Sequence, residues 1–475
     1  MAISFIGTIG VETARQSVNY YGKKALGLEQ LATARETYRL PYKVPPGFIQ
    51  PIGTKLTVDR ALIGDAYHKL TADLAGPTVI YARSSSPYEE PGKYLSVPSL
   101  FTPQDRQGSF EHYLAACNQV LQSGGEIAII GQIMVGKPEV VNGMNCIGYS
   151  NASFVASYPS PLKRNMVTIS SVAGLATKAV EENCESVVFH SDPQGKIEYA
   201  LWLDGQEYYE NNNKYRQKGM HVYDIDQMRF LSLHGSIPNY KVIDPEGNKD
   251  TSDPCTYALS PFHNKSDVIA LNKLIPQLSA LFGESIEVEG AYMDQELFLW
   301  QTRNIPPKPY SNITFTSPST GDPIINSDDV LGCLNCKTDL VYITTTDQRV
   351  AHDRSALLCN TEIEKIFAKL NRSGQYALFS DVFVSGVIIE TTYASVIAVT
   401  YYANPLSHLI GGLLERSAKG KAHLIMHSAS VAGFSEDKAN EVLLTNDYLS
   451  LKILLFKDVV VESDGDRAQI FLPTR

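Results

Sequence analysis

Residues 284–304 read ESIEVEGAYMDQELFLWQTRN, and the fold turns on whether this stretch is a hairpin with one polar face. Side chains alternate along an extended chain, so Glu287 and Glu289 share a strand face. The apolar run Leu297–Trp300 then returns as a second strand ending in Gln301, Thr302 and Arg303, with Gln301 and Arg303 on one face and Thr302 on the other. Two carboxylates thereby oppose an amide and a guanidinium. That set suits Mg2+ bridging between phosphates, because the ion takes carboxylate and phosphate oxygens while Arg forks onto phosphate. A strand simply leaving the core for solvent would carry the same letters, so the rest of the chain must decide.

The chain has 475 residues, room for roughly two to four domains, each with its own core. Its 44% apolar and 19% charged content is that of a globular protein rather than a disordered one. A net charge of -10 with a pI near 5.5 argues against sequence-independent binding to nucleic acid or to an anionic membrane, and leaves small molecules or proteins as partners. No run reaches the roughly 18 apolar residues of a membrane helix. The start, MAISFIGTIGVETARQ, lacks the basic and apolar segments of a signal peptide, so a cytoplasmic protein is expected. Seven cysteines in such a length make no disulfide framework, and Cys333-Leu-Asn-Cys336 is a single CxxC without a second pair.

Hydrophobic periodicity stops at residues 304–323, NIPPKPYSNITFTSPSTGDP, which marks a boundary. Before it, LIGDAYHKLTADL and FEHYLAACNQVLQSG read as amphipathic helices, and TVIYARSS and EIAIIGQIMVG as strands. Interleaved strands and helices give an α/β or α+β class. Residues 205–265, rich in Tyr, Asn, His and Asp, read as a polar insertion or cap. Beyond the boundary, QYALFSDVFV, YASVIAVTYY and FKDVVVESDGDRAQIFL read as strands around helices at IEKIFAKLN and HLIGGLLERS, a second and smaller α/β unit.

Three further segments have the chemistry of the hairpin. In YYGKKALGLEQL, residues 20–31, a Gly precedes two lysines and a helix, so backbone N–H groups and an ammonium could converge on an anion, although the spacing is not that of a Walker A loop. In VIYARSSSPYEEPGKYLS, residues 79–96, a strand delivers Arg83 into a Ser-rich turn. In IIGQIMVG, Gln132 and Met134 lie on one strand and could wall an adenine ring; an ordinary buried strand would look the same.

In this order, GKKALGL, VPPGF at 44–48, ARSSS, GQIMV, EVE, and QTR twelve residues past its second Glu, the chain resembles the ATP-binding region of the phosphoenolpyruvate synthase and pyruvate phosphate dikinase family. The similarity spans about residues 10–310. It implies an ATP-grasp fold of two lobes, with ATP and Mg2+ as cofactors. It implies that Lys24 (or Lys23, one register away) and Arg83 contact nucleotide phosphates, that Glu287 and Glu289 hold Mg2+ or nucleotide, that Gln301 assists Mg2+, and that Arg303 binds the phosphate in transfer. The chain departs from the family in its shortened PYEEPGKYLS segment and in NGMNCIGYSNASFVASYP.

Members of the family phosphorylate a His on a swivelling domain, which carries the group to a second site. The matching arrangement is VIAVTYYANPLSHLIGGLLER, residues 396–416, where Ser407 is an N-cap candidate and His408 opens a helix; a capping or partly buried His would give the same pattern. SDVFV and VVVESDGDRAQIFL resemble the opening and closing strands of that domain, whereas Ala403-Asn404 and Leu409-Ile410 replace the family's small residues. His423 and His427, four apart, read as structural for want of a third ligand, and His352-Asp353-Arg354 as a polar turn or part of an acceptor site.

The expected layout is therefore an ATP-binding domain at 1–310, a connecting or acceptor segment at 311–375, and a swivelling phosphohistidine-like domain at 376–475. The expected activity is phosphoryl transfer from Mg-ATP to a small-molecule acceptor, with His408 and Arg303 at the chemistry. There is no room for the barrel that binds pyruvate in the synthase, so the acceptor site falls in 310–375, in 205–265, or on a partner subunit or second copy. Rifampin phosphotransferases resemble this combination of modules. Two other activities suit the same residues: an ATP-grasp ligase or condensing enzyme using Lys24, Arg83, Glu289 and Gln301 without a phosphohistidine, and a non-catalytic nucleotide-binding protein.

Overall fold

The computed structural model describes residues 3–88, 95–141, 143–159, 166–175, 186–191, 197–203, 219–234, 265–283, 285–305, 325–327, 329–331, 333–346, 376–380, 396–401, 424–427, 430–431, 436–447 and 450–472. Its sheets are mostly antiparallel and its described helices few, a mixed architecture of the α+β kind.

The first sheet runs in the order Ser4–Phe5, Gly47–Gln50, Ala128–Ile133, Thr78–Ser85, Ser96–Phe101, every neighbouring pair antiparallel. Helices Arg60–Thr71 and Arg106–Gln122 cover one face. In the second of these, Phe110, Tyr113, Leu114 and Cys117 recur at helical spacing and are buried against Phe48, Ile80 and Phe101. Asp105 caps that helix by accepting from the Gly108 N–H at 2.8 Å.

The second sheet runs Ile197–Leu203, Ser186–Ser191, Val167–Ala173, Ala152–Tyr158, Ile286–Met293, Glu296–Asn304, again antiparallel throughout. Helix Lys265–Phe282 backs it, packing Leu271, Leu274, Ile275 and Leu278 on Phe154, Ile169, Val288 and Leu299.

One helix serves both sheets. Val18–Tyr38 is broken at Gly22, whose φ of 79° and ψ of 170° are not helical. Beyond the break, Ala25 and Leu28 pack with Ile49 and Ile130 of the first sheet, while Leu31 and Ala34 join the core of the second. The spacing explains the change of partner. From Ala25 to Ala34 the helix advances about two and a half turns at 3.6 residues per turn, so an apolar stripe repeating every third residue winds to the opposite side.

A third sheet pairs Arg229–His234, Gly219–Asp224, Met144–Ile147 and Pro138–Val141. The stretch expected as a polar insertion thus contributes a hairpin to this sheet, residues 219–234, and its last residue, Lys265, opens a helix; the rest of 205–265 lies outside the described residues.

The C-terminal sheet is mixed. Leu334–Thr345, Tyr376–Ser380, Val396–Tyr401 and Leu424–His427 are successive parallel neighbours, and Leu451–Ser463 and Ala468–Phe471 extend it antiparallel. Parallel neighbours need connections of a dozen residues or more, and the sequence supplies them. Leu334–Thr345, from the segment expected to connect or to hold the acceptor, runs in the middle of this sheet. The helices expected at IEKIFAKLN and HLIGGLLERS, the 304–323 boundary beyond Ile305, and His352 to Arg354 lie outside the described residues. No described helix is long and apolar enough to cross a membrane.

Candidate functional site

The hairpin Ile286–Met293 and Glu296–Asn304 pairs Glu287 with Arg303, Val288 with Thr302 and Glu289 with Gln301. Directly opposed residues in an antiparallel pair share a face, so the expected juxtaposition of two carboxylates with an amide and a guanidinium is present. Sequence alternation alone would not have produced it. Strict alternation puts Leu297, Leu299, Gln301 and Arg303 on one face, yet Leu297 and Leu299 are core residues. The register shifts between Glu289 and Gly290, which pair with Gln301 and Leu299, leaving Trp300 as an extra residue. This β-bulge resets the pattern and turns Gln301 and Arg303 away from the core.

Thr302 takes the opposite face, where its carbonyl oxygen lies only 2.4 Å from where a Cβ on Gly27 would stand. Only a glycine lets the helix come this close to the QTR strand. Gly22 is held as tightly. A Cβ there would meet the carbon, oxygen and Oγ of Ser85, each at 2.4 Å. The helix resumes after Gly22 with its first N–H groups already engaged: Lys23 N donates to the Ser86 carbonyl at 3.1 Å and Ala25 N to Ser85 Oγ at 3.1 Å. The glycines of GKKALGL therefore fasten it to ARSSS at one point and to QTR at another. Lys24 lies half-buried in this start, two residues past Gly22, with Lys23 beside it exposed.

From these anchored segments a chain of hydrogen bonds runs across the two sheets. Gln132 Nε2 donates to the Pro45 carbonyl at 3.4 Å, and its Oε1 accepts from Arg83 Nη1 at 2.6 Å. Arg83 Nη1 also donates to the Trp300 carbonyl at 3.1 Å, and Nη2 to Gln301 Oε1. Gln301 Nε2 donates to Glu289 Oε1 at 2.9 Å, and Trp300 Nε1 to Glu289 Oε2 at 3.3 Å. The donors and acceptors leave each amide one orientation, oxygen to guanidinium and nitrogen to carboxylate or carbonyl. Alongside, Arg303 Nε donates to Glu287 Oε1 at 2.6 Å, an ion pair in which Glu287 is 1% exposed and Arg303 20%.

The Pro-Pro of VPPGF has a simple part in this arrangement. Proline has no N–H to satisfy, and Pro45 and Pro46 present carbonyls to Gln132 Nε2 and to Ile133 N, while Lys43 exchanges backbone bonds with Leu297 and Leu299 of the hairpin. The segment laces the Gln132 strand to the QTR strand.

The structure thus brings Arg83, Gln132, Glu289 and Gln301 into one network, with Glu287 and Arg303 adjacent and Lys24 at the stapled helix start. Met134 stands apart: it is buried with Val79, Leu100, Ile147, Leu175 and Tyr223, so in this structure it is a core residue. His408, His423 and the side chain of His427 lie outside the described residues. Cys336 packs at the edge of the C-terminal core, where burial raises its thiol pKa. Among the described residues no three His, Cys, Asp or Glu side chains form a metal-ligating group.

The donor set suits a hard cation as far as it goes. Glu287 and Glu289 offer carboxylate oxygens two residues apart, next to the Gln301 amide, and Mg2+ bound with substrate phosphates takes only one or two protein carboxylates. Gln301, however, points its oxygen at Arg83 and its nitrogen at Glu289, so in this structure it bridges the two charges rather than extending the oxygen set.

Sequence reasoning missed Trp300 and Glu29. The Glu29 side chain, on the buried side of the helix, accepts from Gly7 N at 2.7 Å and Gly10 N at 3.2 Å, holding the loop after the first strand. Burial raises its pKa above 4.5, against the lowering effect of the Gly7, Gly10 and Ile9 N–H groups. Gly7 and Gly10 both have positive φ, and the two glycines themselves were the one signal in the sequence of a tightly turning loop. No protein-family model matches the chain, and no curated protein matches it.

Proposed function

We propose that the chain is an ATP-dependent phosphotransferase of the dikinase type, built on an ATP-grasp region like that of the phosphoenolpyruvate synthase and pyruvate phosphate dikinase family. The observation that carries this reading is the single network joining Arg83, Gln132, Glu289 and Gln301, whose outer members lie 218 positions apart, with the Glu287–Arg303 pair beside it. A packing accident would not align five polar residues singled out for phosphate and metal chemistry with Gln132, read as part of an adenine wall.

In this reading Arg83 and Arg303 turn their guanidinium forks to nucleotide phosphates, and Lys24 adds an ammonium at the helix start. Glu289, with Glu287 and Gln301, would hold Mg2+, which neutralises charge between phosphates when bound. Arg83 and Gln301 exchange one another for the ligand, so the network is the nucleotide site at rest. His408 then takes the phosphoryl group: a nitrogen–phosphorus bond forms as the phosphorus–oxygen bond to the nucleotide breaks, the nucleotide leaving with the electron pair. A small-molecule acceptor receives the group in a second step, on this chain, a second copy or a partner subunit.

The test is incubation with Mg-ATP labelled in the phosphates. The expected result is a phosphoryl-enzyme stable to base, labile to acid and lost in His408→Ala. Absence of an adduct, with His408→Ala fully active, would defeat the carrier mechanism; a joined product with free phosphate would indicate ligation, and binding without turnover of any acceptor a nucleotide sensor.

A further inference from the structure

Trp300 owes its position to the bulge. As the extra residue it follows the core side chain Leu299 and precedes Gln301, and it touches the site through two different groups. Its indole Nε1–H reaches Glu289 Oε2 at 3.3 Å, and its carbonyl accepts from Arg83 at 3.1 Å. An indole N–H can only donate, so it fixes one carboxylate oxygen without competing for a cation. Gln301 fixes the other oxygen at 2.9 Å, and together they set the plane of the Glu289 carboxylate. Outer partners of this kind commonly decide how well a carboxylate serves a metal.

We propose that Trp300 is a positioning residue of the candidate site: it orients the Glu289 carboxylate through its indole and the Arg83 guanidinium through its main chain, and the indole senses occupation of the site. The ligand half of this inference rests on the nucleotide reading above; the positioning half does not. A side chain that only filled space would give the bulge its shape but would have no link to the charge on Glu289.

The chain contains two tryptophans, so Trp202→Phe leaves Trp300 as the sole indole. In that protein Glu289→Gln is expected to move the Trp300 emission maximum with no ligand present, and titration with Mg2+ and ATP to move it saturably in the parent. In calorimetry on the otherwise native chain, Trp300→Phe, which keeps a ring and loses the donor, is expected to raise the Mg2+ concentration needed for half-saturation at fixed ATP by roughly 10- to 100-fold. An emission unchanged by Glu289→Gln overturns the positioning, as does Mg-ATP affinity in Trp300→Phe equal to that of the native chain. The Glu289→Gln arm keeps Trp300 and so decides even where the Phe variant fails to fold. If the native chain binds no Mg-ATP, the nucleotide reading and the sensing half fall together, and the emission change in Glu289→Gln alone decides the positioning.

Discussion

Gly22→Ala adds one methyl group where the structure has no place for it, and it tests the staple between the helix and the Arg83 strand. Two costs combine. The backbone at φ 79° and ψ 170° is a conformation essentially reserved for glycine, which costs any other residue about 1–3 kcal/mol. The new Cβ would stand 2.4 Å from the Ser85 carbon, oxygen and Oγ, and because two of these are main-chain atoms the strand end must shift, at about a further 1–3 kcal/mol. The total of about 2–6 kcal/mol, at roughly 2–4 °C per kcal/mol for a unit of this size, lowers the melting temperature by roughly 4–24 °C. Differential scanning calorimetry reads the shift. Gly76→Ala is the control, since nothing lies within 4 Å of its Cβ position, and it should change stability by no more than about 0.5 kcal/mol. Ser85 is two residues from Arg83, so Gly22→Ala should weaken Mg-ATP binding as well. If Gly22→Ala melts within about 2 °C of the native chain, the close approach does not constrain the helix and the reasoning fails.

Arg83→Lys keeps the charge but loses the planar fork that serves Gln132, Gln301 and the Trp300 carbonyl together. It should weaken Mg-ATP by about 1.5–3 kcal/mol, roughly 10- to 150-fold in calorimetry, and unchanged affinity would remove Arg83 from the site. Glu29 gives a pH signature. With its folded pKa raised above 4.5, the folded state binds more protons than the unfolded state just above that value, so the carboxyl's contribution to stability is full at lower pH and declines as pH rises through the folded pKa. Relative to Glu29→Gln, the native chain should lose melting temperature as pH climbs from 4.5 through the raised value, and parallel curves would show that burial is not the controlling term.

The sequence made the strands legible where period two met β-branched residues: TVIYARSS is the strand Thr78–Ser85. The helix LIGDAYHKLTADL lies over Arg60–Thr71, its ends set by local bonding that periodicity does not report. The polar residues of the site were legible because each interrupts or closes an otherwise apolar element, as Glu287 and Glu289 do in Ile286–Met293 and Gln301 and Arg303 do near the end of Glu296–Asn304. The bulge at Trp300 was not, since it is a property of two strands in register and not of either alone. Met134 read as a ligand wall because a strand shows which residues share a face but not what covers that face; here Leu100, Ile147 and Tyr223 cover it. Glu29 carries no signal in the letters of its own helix, because its partners are the Gly7 and Gly10 N–H groups of a loop about twenty residues away in sequence.

The winding stripe on the helix beyond Gly22 bears on how the molecule comes apart. With Ala25 and Leu28 bound on one side, and Leu31 and Ala34 on the other, the helix cannot peel from either sheet by rolling about its axis without lifting the opposite half from its core. Local opening of the first sheet should therefore draw on the stability of the second, and amide protons in strands as distant in sequence as Gly47–Gln50 and Glu296–Asn304 are expected to exchange as one cooperative unit.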